Sequence, residues 1–162
     1  VLLLVSILVG SVTLSFLPMA EALVQVRTNT RVMQKTRLAM ARMMREFTTI
    51  TNVVSGDAHN LEYYFITPAG VVLTRNLTWG GAPGNPLLLN ETPLTDDVAD
   101  FRLRYINYTY DEESDTTYWL TNDTWTADAD CEYIEIVLQS QETGDRFTNY
   151  VSPRNYLFRK RE

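Results

Sequence analysis

A chain of 162 residues, 45% hydrophobic and 21% charged, has room for one globular domain and an appendage. Its lone cysteine, Cys131, excludes an intrachain disulfide, and a net charge of −6 argues against nucleic acid as a partner. The charge is unevenly placed: residues 21–46 hold six bases against two acids, +4, and residues 47–162 hold eight against eighteen, −10. A basic stalk under an acidic head suits attraction between neighbouring copies, although a solvated helix face beneath a soluble surface accounts for the same charges.

Residues 1–20 carry no charge. As a helix rising 1.5 Å per residue, the run is about 30 Å long, close to the hydrocarbon thickness of a bilayer. A signal peptide is the competing reading. It fits less well, because the segment has no basic start, exceeds the usual apolar core and offers only a poor cleavage site at Leu17-Pro18-Met19-Ala20. An uncleaved stem is therefore expected. Gly10 is a weak helix residue, and Pro18 lacks an N–H and clashes with the preceding turn. Between them Ser11, Thr13 and Ser15 can bond freed backbone groups. The stretch from Gly10 to Pro18 is expected to kink, or to unwind on assembly; the alternative is a continuous helix with a mild bend.

Beyond the stem, Met19, Val26, Met33, Met40, Phe47 and Val54 recur at seven-residue spacing, with Met43, Met44 and Ile50 filling adjoining positions. This stripe predicts a helix continuing to about residue 54, with Ser55-Gly56-Asp57 as its stop. Over residues 26–54 it is expected to face a sheet in its lower half and other helices above. Thr30 and Arg37 make a poor second seam, which argues against an isolated coiled coil. The implied organisation is an apolar stem over residues 1–25, an amphipathic helix over 26–55 and an antiparallel β-sheet head over 56–162.

After Gly56 the pattern turns to alternation and turns. Strands are predicted over 61–67, 71–79, 101–110 and 131–139, with a short one at 87–89 and a weaker one at 118–120. Residues 147–151 are expected to pair with 131–139 across a turn at 142–145. In 101–110, Phe101, Leu103 and Tyr105 fall on one face. Residues 80–86 read as a loop, and 111–130 as an acidic, largely loop-like region. Cys131 reads as a small buried or edge residue rather than a nucleophile.

The acids Asp111, Glu112, Glu113 and Asp115, with Asp128, Asp130 and Glu132, are candidate oxygen ligands for calcium. Their spacing matches no EF-hand, and a solvated acidic loop explains them equally. Four sequons, at Asn76, Asn90, Asn107 and Asn122, are candidate glycosylation acceptors; Thr- and Asn-rich strands are the alternative. His59, beside Asp57 and Asn60, reads as a turn residue rather than a general base. No catalytic group, cofactor site or phosphate loop is expected.

An apolar N-terminal helix beneath a small antiparallel head resembles type IV pilins and the pseudopilins of type II secretion. Gly10 and Pro18 match the glycine and proline common in pilin stems. The stretch Arg37-Leu38-Ala39-Met40-Ala41-Arg42-Met43-Met44-Arg45-Glu46 looks like the stalk of minor pilins and J-type pseudopilins. So does Leu94-Thr95-Asp96-Asp97-Val98-Ala99-Asp100-Phe101-Arg102-Leu103-Arg104-Tyr105, as the entry to a central strand. Trp125 followed by Tyr133-Ile134-Glu135-Ile136-Val137-Leu138, and the ending Val151-Ser152-Pro153-Arg154-Asn155, complete the likeness. One feature departs from it. Counted back from Pro18, the glutamate that pilin stems carry falls on Val1. Either the sequence begins inside the stem, or the subunit lacks that glutamate, as certain tip pseudopilins do.

The resemblance implies an α+β fold, with a long helix on an antiparallel sheet, and a structural subunit of a pilus-like filament. Such a subunit waits in the inner membrane and is stacked by an assembly machine into a helical homopolymer on the cell surface. Leu2, Leu3, Leu4, Ile7, Leu8, Leu14, Phe16 and Leu17 would pack the filament core. At roughly 25 cal/mol per Å² of apolar surface, their burial favours assembly strongly. Arg27, Arg31 and Lys35 would meet acids of neighbouring heads. A minor pseudopilin at a secretion-system tip and a monomeric membrane-anchored binding module are the alternatives.

Overall fold

The structure, a computed structural model, describes residues 2–67, 69–126 and 131–153, with the backbone alone described over residues 2–15 and at Leu17. One helix, α1, spans Leu2–Thr48. At 1.5 Å per residue it is about 70 Å long. It passes through Gly10 and Pro18 without interruption, so in the single chain this stretch is helical rather than unwound.

The helix stops six residues before the expected end. Its last positions meet a β-branched run, Thr48-Thr49-Ile50-Thr51, which loses side-chain freedom in a helix and favours a strand. The Thr48 and Thr49 hydroxyls donate to the Arg45 and Glu46 carbonyls at 2.7 Å each, and the Thr49 amide donates to Glu46 at 3.0 Å. These bonds occupy carbonyls of the final turn. The chain then enters β1, Ile50–Gly56, and Val54 is an exposed strand residue rather than the last helical apolar position. Gly56 serves a different purpose from a helix stop. A Cβ there would come within 2.5 Å of the Tyr105 hydroxyl, so glycine lets the Tyr105 ring approach.

The head is two antiparallel sheets rather than one. The first is a meander of β1, β2 (Asn60–Ile66), β3 (Val72–Trp79), β4 (Leu87–Leu89) and β5 (Thr92–Thr95), in chain order. The second has the order β7-β6-β8-β9, built from β6 (Asp100–Asp111), β7 (Thr116–Asn122), β8 (Cys131–Gln139) and β9 (Arg146–Val151). The β8–β9 pair forms as predicted, with Ile134 opposite Val151 and Gln139 opposite Arg146. The region 111–130 is not simply a loop: β7 occupies its middle and pairs with β6 from Tyr105↔Asn122 to Asp111↔Thr116. The weak signal at 118–120 was its centre. Strands β1 and β5 were not foreseen.

The two sheets are joined by main-chain bonds, from the Leu103 amide to Ala58 (2.7 Å) and from the Trp125 amide to Gly56 (2.9 Å). The Tyr105 hydroxyl adds a bond to the Asp57 carbonyl at 3.1 Å, and Trp125 packs edge-on against the Tyr105 ring at 5.5 Å. One core runs between the sheets and the C-terminal half of α1. The helix supplies Ala39, Met40, Met43 and Phe47, the first sheet Leu61, Tyr63, Leu77 and Leu87, and the second Phe101, Leu103, Tyr105, Ile134, Ile136 and Leu138. Val32, Thr36 and Ala39 belong to the buried stripe as well, whereas Met33 is only half-buried. The seven-residue pattern therefore marked one edge of a wider helical face.

Candidate functional site

The helix changes character at Val32, the first buried residue among those whose side chains are described. From Phe16 to Arg31 every residue whose side chain is described is exposed. These include Phe16 at 65%, Met19 at 70%, Leu23 at 52%, Val24 at 63% and Val26 at 64%. The head covers none of them. Apolar side chains in such number on one unsupported stretch are unusual for a lone soluble helix. The stretch continues toward the N-terminus as helix. Of the residues expected to pack a filament core, Phe16 is exposed, and the side chains of Leu2, Leu3, Leu4, Ile7, Leu8, Leu14 and Leu17 lie outside the described residues. Among the described residues, no helix is long and apolar enough to cross a membrane.

Where the projecting stretch meets the head, the β8–β9 turn is tied to the segment before β6 by one carboxylate. Asp97, 7% exposed, accepts from the Ser140 hydroxyl and from the amides of Gln141 (2.9 Å) and Glu142 (2.8 Å). A shallow groove beside it is lined by Thr28, Arg31, Val32, Lys35, Asp97 and Glu142. Lys35 was expected to reach a neighbouring head, but it pairs within the chain, donating to Asp96 at 2.8 Å. That hydrogen bond holds the Asp96 carboxyl below its ordinary range. Among the described residues Arg27 and Arg31 make no ion pair. At the other end of the helix Glu46 pairs with Arg75, whose guanidinium also lies 3.9 Å from the centre of the Phe65 ring. The docked half of α1 is thus clamped at both ends.

The remaining sequence candidates separate. Asp111 and Asp115 lie in the β6–β7 turn but serve it locally. Asp111 accepts from Ser114 and from the Glu113 amide, and Asp115 accepts from the Tyr110 hydroxyl at 2.6 Å. Asp128 and Asp130 lie outside the described residues. Among the described residues no cluster of His, Cys, Asp and Glu could hold a metal.

Asn76 is exposed on β3, and its amide donates to the Asn90 side chain in the β4–β5 turn (2.9 Å). Asn90 and Glu91 both adopt left-handed backbone there, at φ 49° and 64°. Asn122 is half-buried at the end of β7. Asn107 is 5% exposed and its Oδ1 has no partner among the described residues, so in the folded head its amide is closed to a glycosylating enzyme. His59 sits in a turn closed by Asp57, which accepts from the His59 and Asn60 amides, and its ring packs edge-on against Trp79. Cys131 is 1% exposed, and burial pushes its thiol up to about 12.

A face missed at the sequence level lies on the outside of the second sheet. There Tyr108 stands opposite Trp119, Ile106 opposite Thr121 and Tyr133, and Glu135 opposite Arg104 and Tyr150. The signal was present in β6. Phe101, Leu103 and Tyr105 set the buried phase, and Tyr108 and Tyr110 fall out of phase with it. Compared with protein-family models, with curated proteins and with solved structures, the chain matches none of them.

Proposed function

We propose that this chain is a structural subunit of a type IV pilus-like filament, polymerising through its N-terminal helix. The observation that carries the reading is the projecting stretch of α1, where Phe16, Met19, Leu23, Val24 and Val26 have no cover from their own head. In water such a surface is driven to find cover, at roughly 25 cal/mol per Å². Other copies of the same helix supply cover that repeats with every subunit added. Before assembly the inner membrane supplies it instead, and the assembled filament stands on the cell surface. Arg27 and Arg31, which make no ion pair among the described residues, would meet acids of a neighbouring head. The order of residues that resembles pilins and pseudopilins supports the same reading.

A second reading, a membrane-anchored binding module, is favoured by the exposed aromatic face of the second sheet. Assembly of the full chain, followed by sedimentation and negative-stain electron microscopy, separates the two. The filament reading expects polymers from the native chain and none from a Phe16→Asp, Leu23→Asp variant, with thermal unfolding of the head unchanged. Monomers from both chains under assembly conditions would sink it.

A further inference from the structure

The outer face of the second sheet carries an aromatic shelf that neither the fold nor the filament reading requires. Trp119 is its centre, with Tyr108 at 5.3 Å (69° between planes) on one side and Tyr133 at 6.0 Å (57°) on the other. Tyr150 closes a shallow groove of about 330 Å³ together with Ile106, Trp119, Thr121 and Tyr133. Exposure is 51% for Tyr108, 56% for Trp119, 39% for Tyr133 and 56% for Tyr150. At 150–250 Å² for a whole aromatic side chain, that leaves roughly 400 Å² of ring surface open to water.

Beside the rings lies a fixed polar row. Glu135, 8% exposed, accepts from Tyr150 Oη on one oxygen (2.9 Å) and from Arg104 on the other (3.3 Å). Asp123 approaches Arg104 at 3.8 Å. The guanidinium is thereby balanced by carboxylates, so the face offers hydrogen-bonding groups without an excess of positive charge.

We infer that this shelf is a binding site for a neutral saccharide, its pyranose C–H faces stacked on Trp119 and Tyr133 and its hydroxyls turned to Tyr150, Glu135 and Arg104. Three features select this occupant. The shelf is about half the roughly 800 Å² per side of a standard protein interface, yet ample for two sugar rings. An extended peptide would add to an edge strand of the sheet through its backbone, and would not need the face. An acyl chain would leave the buried Glu135 row unused, whereas a pyranose combines an apolar face with a rim of hydroxyls. The inference does not rest on the filament reading and stands or falls separately.

The test uses the full chain in phosphatidylcholine vesicles, free of glycoside detergents, with cellobiose, maltose and N,N′-diacetylchitobiose as probes. Trp79 and Trp125 are buried, so quenching of tryptophan fluorescence by acrylamide reports chiefly on Trp119. Saturable protection by at least one disaccharide at about 10 mM is expected, consistent with dissociation constants of about 1 mM. By calorimetry, Trp119→Ala should weaken that binding at least about tenfold, Trp119→Phe should retain most of it, and Glu135→Gln should weaken it several-fold. Thermal unfolding shows whether each variant keeps its fold. Protection by none of the three sugars overturns the proposal, as does binding that survives Trp119→Ala in a folded chain. Shielding of Trp119 that rises with protein concentration without sugar overturns it too, because a second copy would then be the occupant.

Discussion

The two halves of α1 are one helix in two environments. From Val32 to Phe47 one face of the helix is covered by strands of the same chain, with Met43 and Phe47 almost wholly buried, while Leu38 on the opposite face stays exposed. From Phe16 to Arg31 similar side chains at similar spacing stand in the open. Secondary structure does not distinguish them, and neither does hydrophobicity alone. What differs is where the cover comes from, and on the proposed filament reading that separates residues that serve folding from those that serve assembly. Substitutions in the docked half should therefore change the stability of the head, and substitutions in the projecting half should change association only.

The largest contrast is expected between Phe47→Ala and Leu23→Ala. Phe47 is fully buried and packs edge-on against Tyr63 at 6.0 Å. Its truncation should cost about 3–5 kcal/mol of head stability in urea unfolding. Leu23→Ala should change the same midpoint by less than about 0.5 kcal/mol. Equal losses at the two sites would erase the distinction between the halves. Next in size is Asp97→Ala, which leaves the Gln141 and Glu142 amides and the Ser140 hydroxyl without their acceptor. A loss of about 2 kcal/mol is expected, with faster hydrogen exchange confined to the β8–β9 turn.

The two clamps sharpen the comparison further. Glu46 and Arg75 are 17% and 27% exposed, so Glu46→Gln should cost about 1 kcal/mol. Lys35 and Asp96 are 43% and 70% exposed, so Lys35→Ala should change stability by no more than about 0.5 kcal/mol, solvent screening having removed most of the attraction. Because the Lys35 hydrogen bond lowers the Asp96 carboxyl, this small contribution is present above the ordinary carboxylate range. It is lost as pH falls through the folded value, so native and Lys35→Ala chains should converge in stability in acid. The smallest effect concerns Cys131. With its thiol pushed up to about 12 by burial, it stays protonated in neutral solution and should not react with a soluble thiol reagent until the head unfolds. Labelling of the native chain at the rate of the unfolded one would contradict that placement.

Much of this was legible in the sequence. Strand β8 was read to its boundaries because Cys131–Gln139 is rich in β-branched and aromatic residues and ends at a clear turn. The face shared by Phe101, Leu103 and Tyr105 followed from period-two spacing, and all three are buried. The helix end was missed because Ile50 and Val54 continue its apolar spacing, while the β-branched run and the Thr48 and Thr49 bonds favour a strand. Strand β7 was underrated because none of its side chains is buried, so its alternation carries no hydrophobic phase. The aromatic shelf depends on register between β6, β7, β8 and β9, a long-range property that no single segment displays. The intrachain Lys35–Asp96 pair, 61 residues apart in sequence, was hidden for the same reason.

On the proposed filament reading, copies of the same helix cover the projecting half of α1. Electron cryo-microscopy of assemblies formed by the full chain tests it most directly. Helical filaments are expected, with α1 at the centre, residues 16–31 packed against neighbouring helices and the heads outside. Particles holding a single copy, with those residues facing only lipid or solvent, would contradict it.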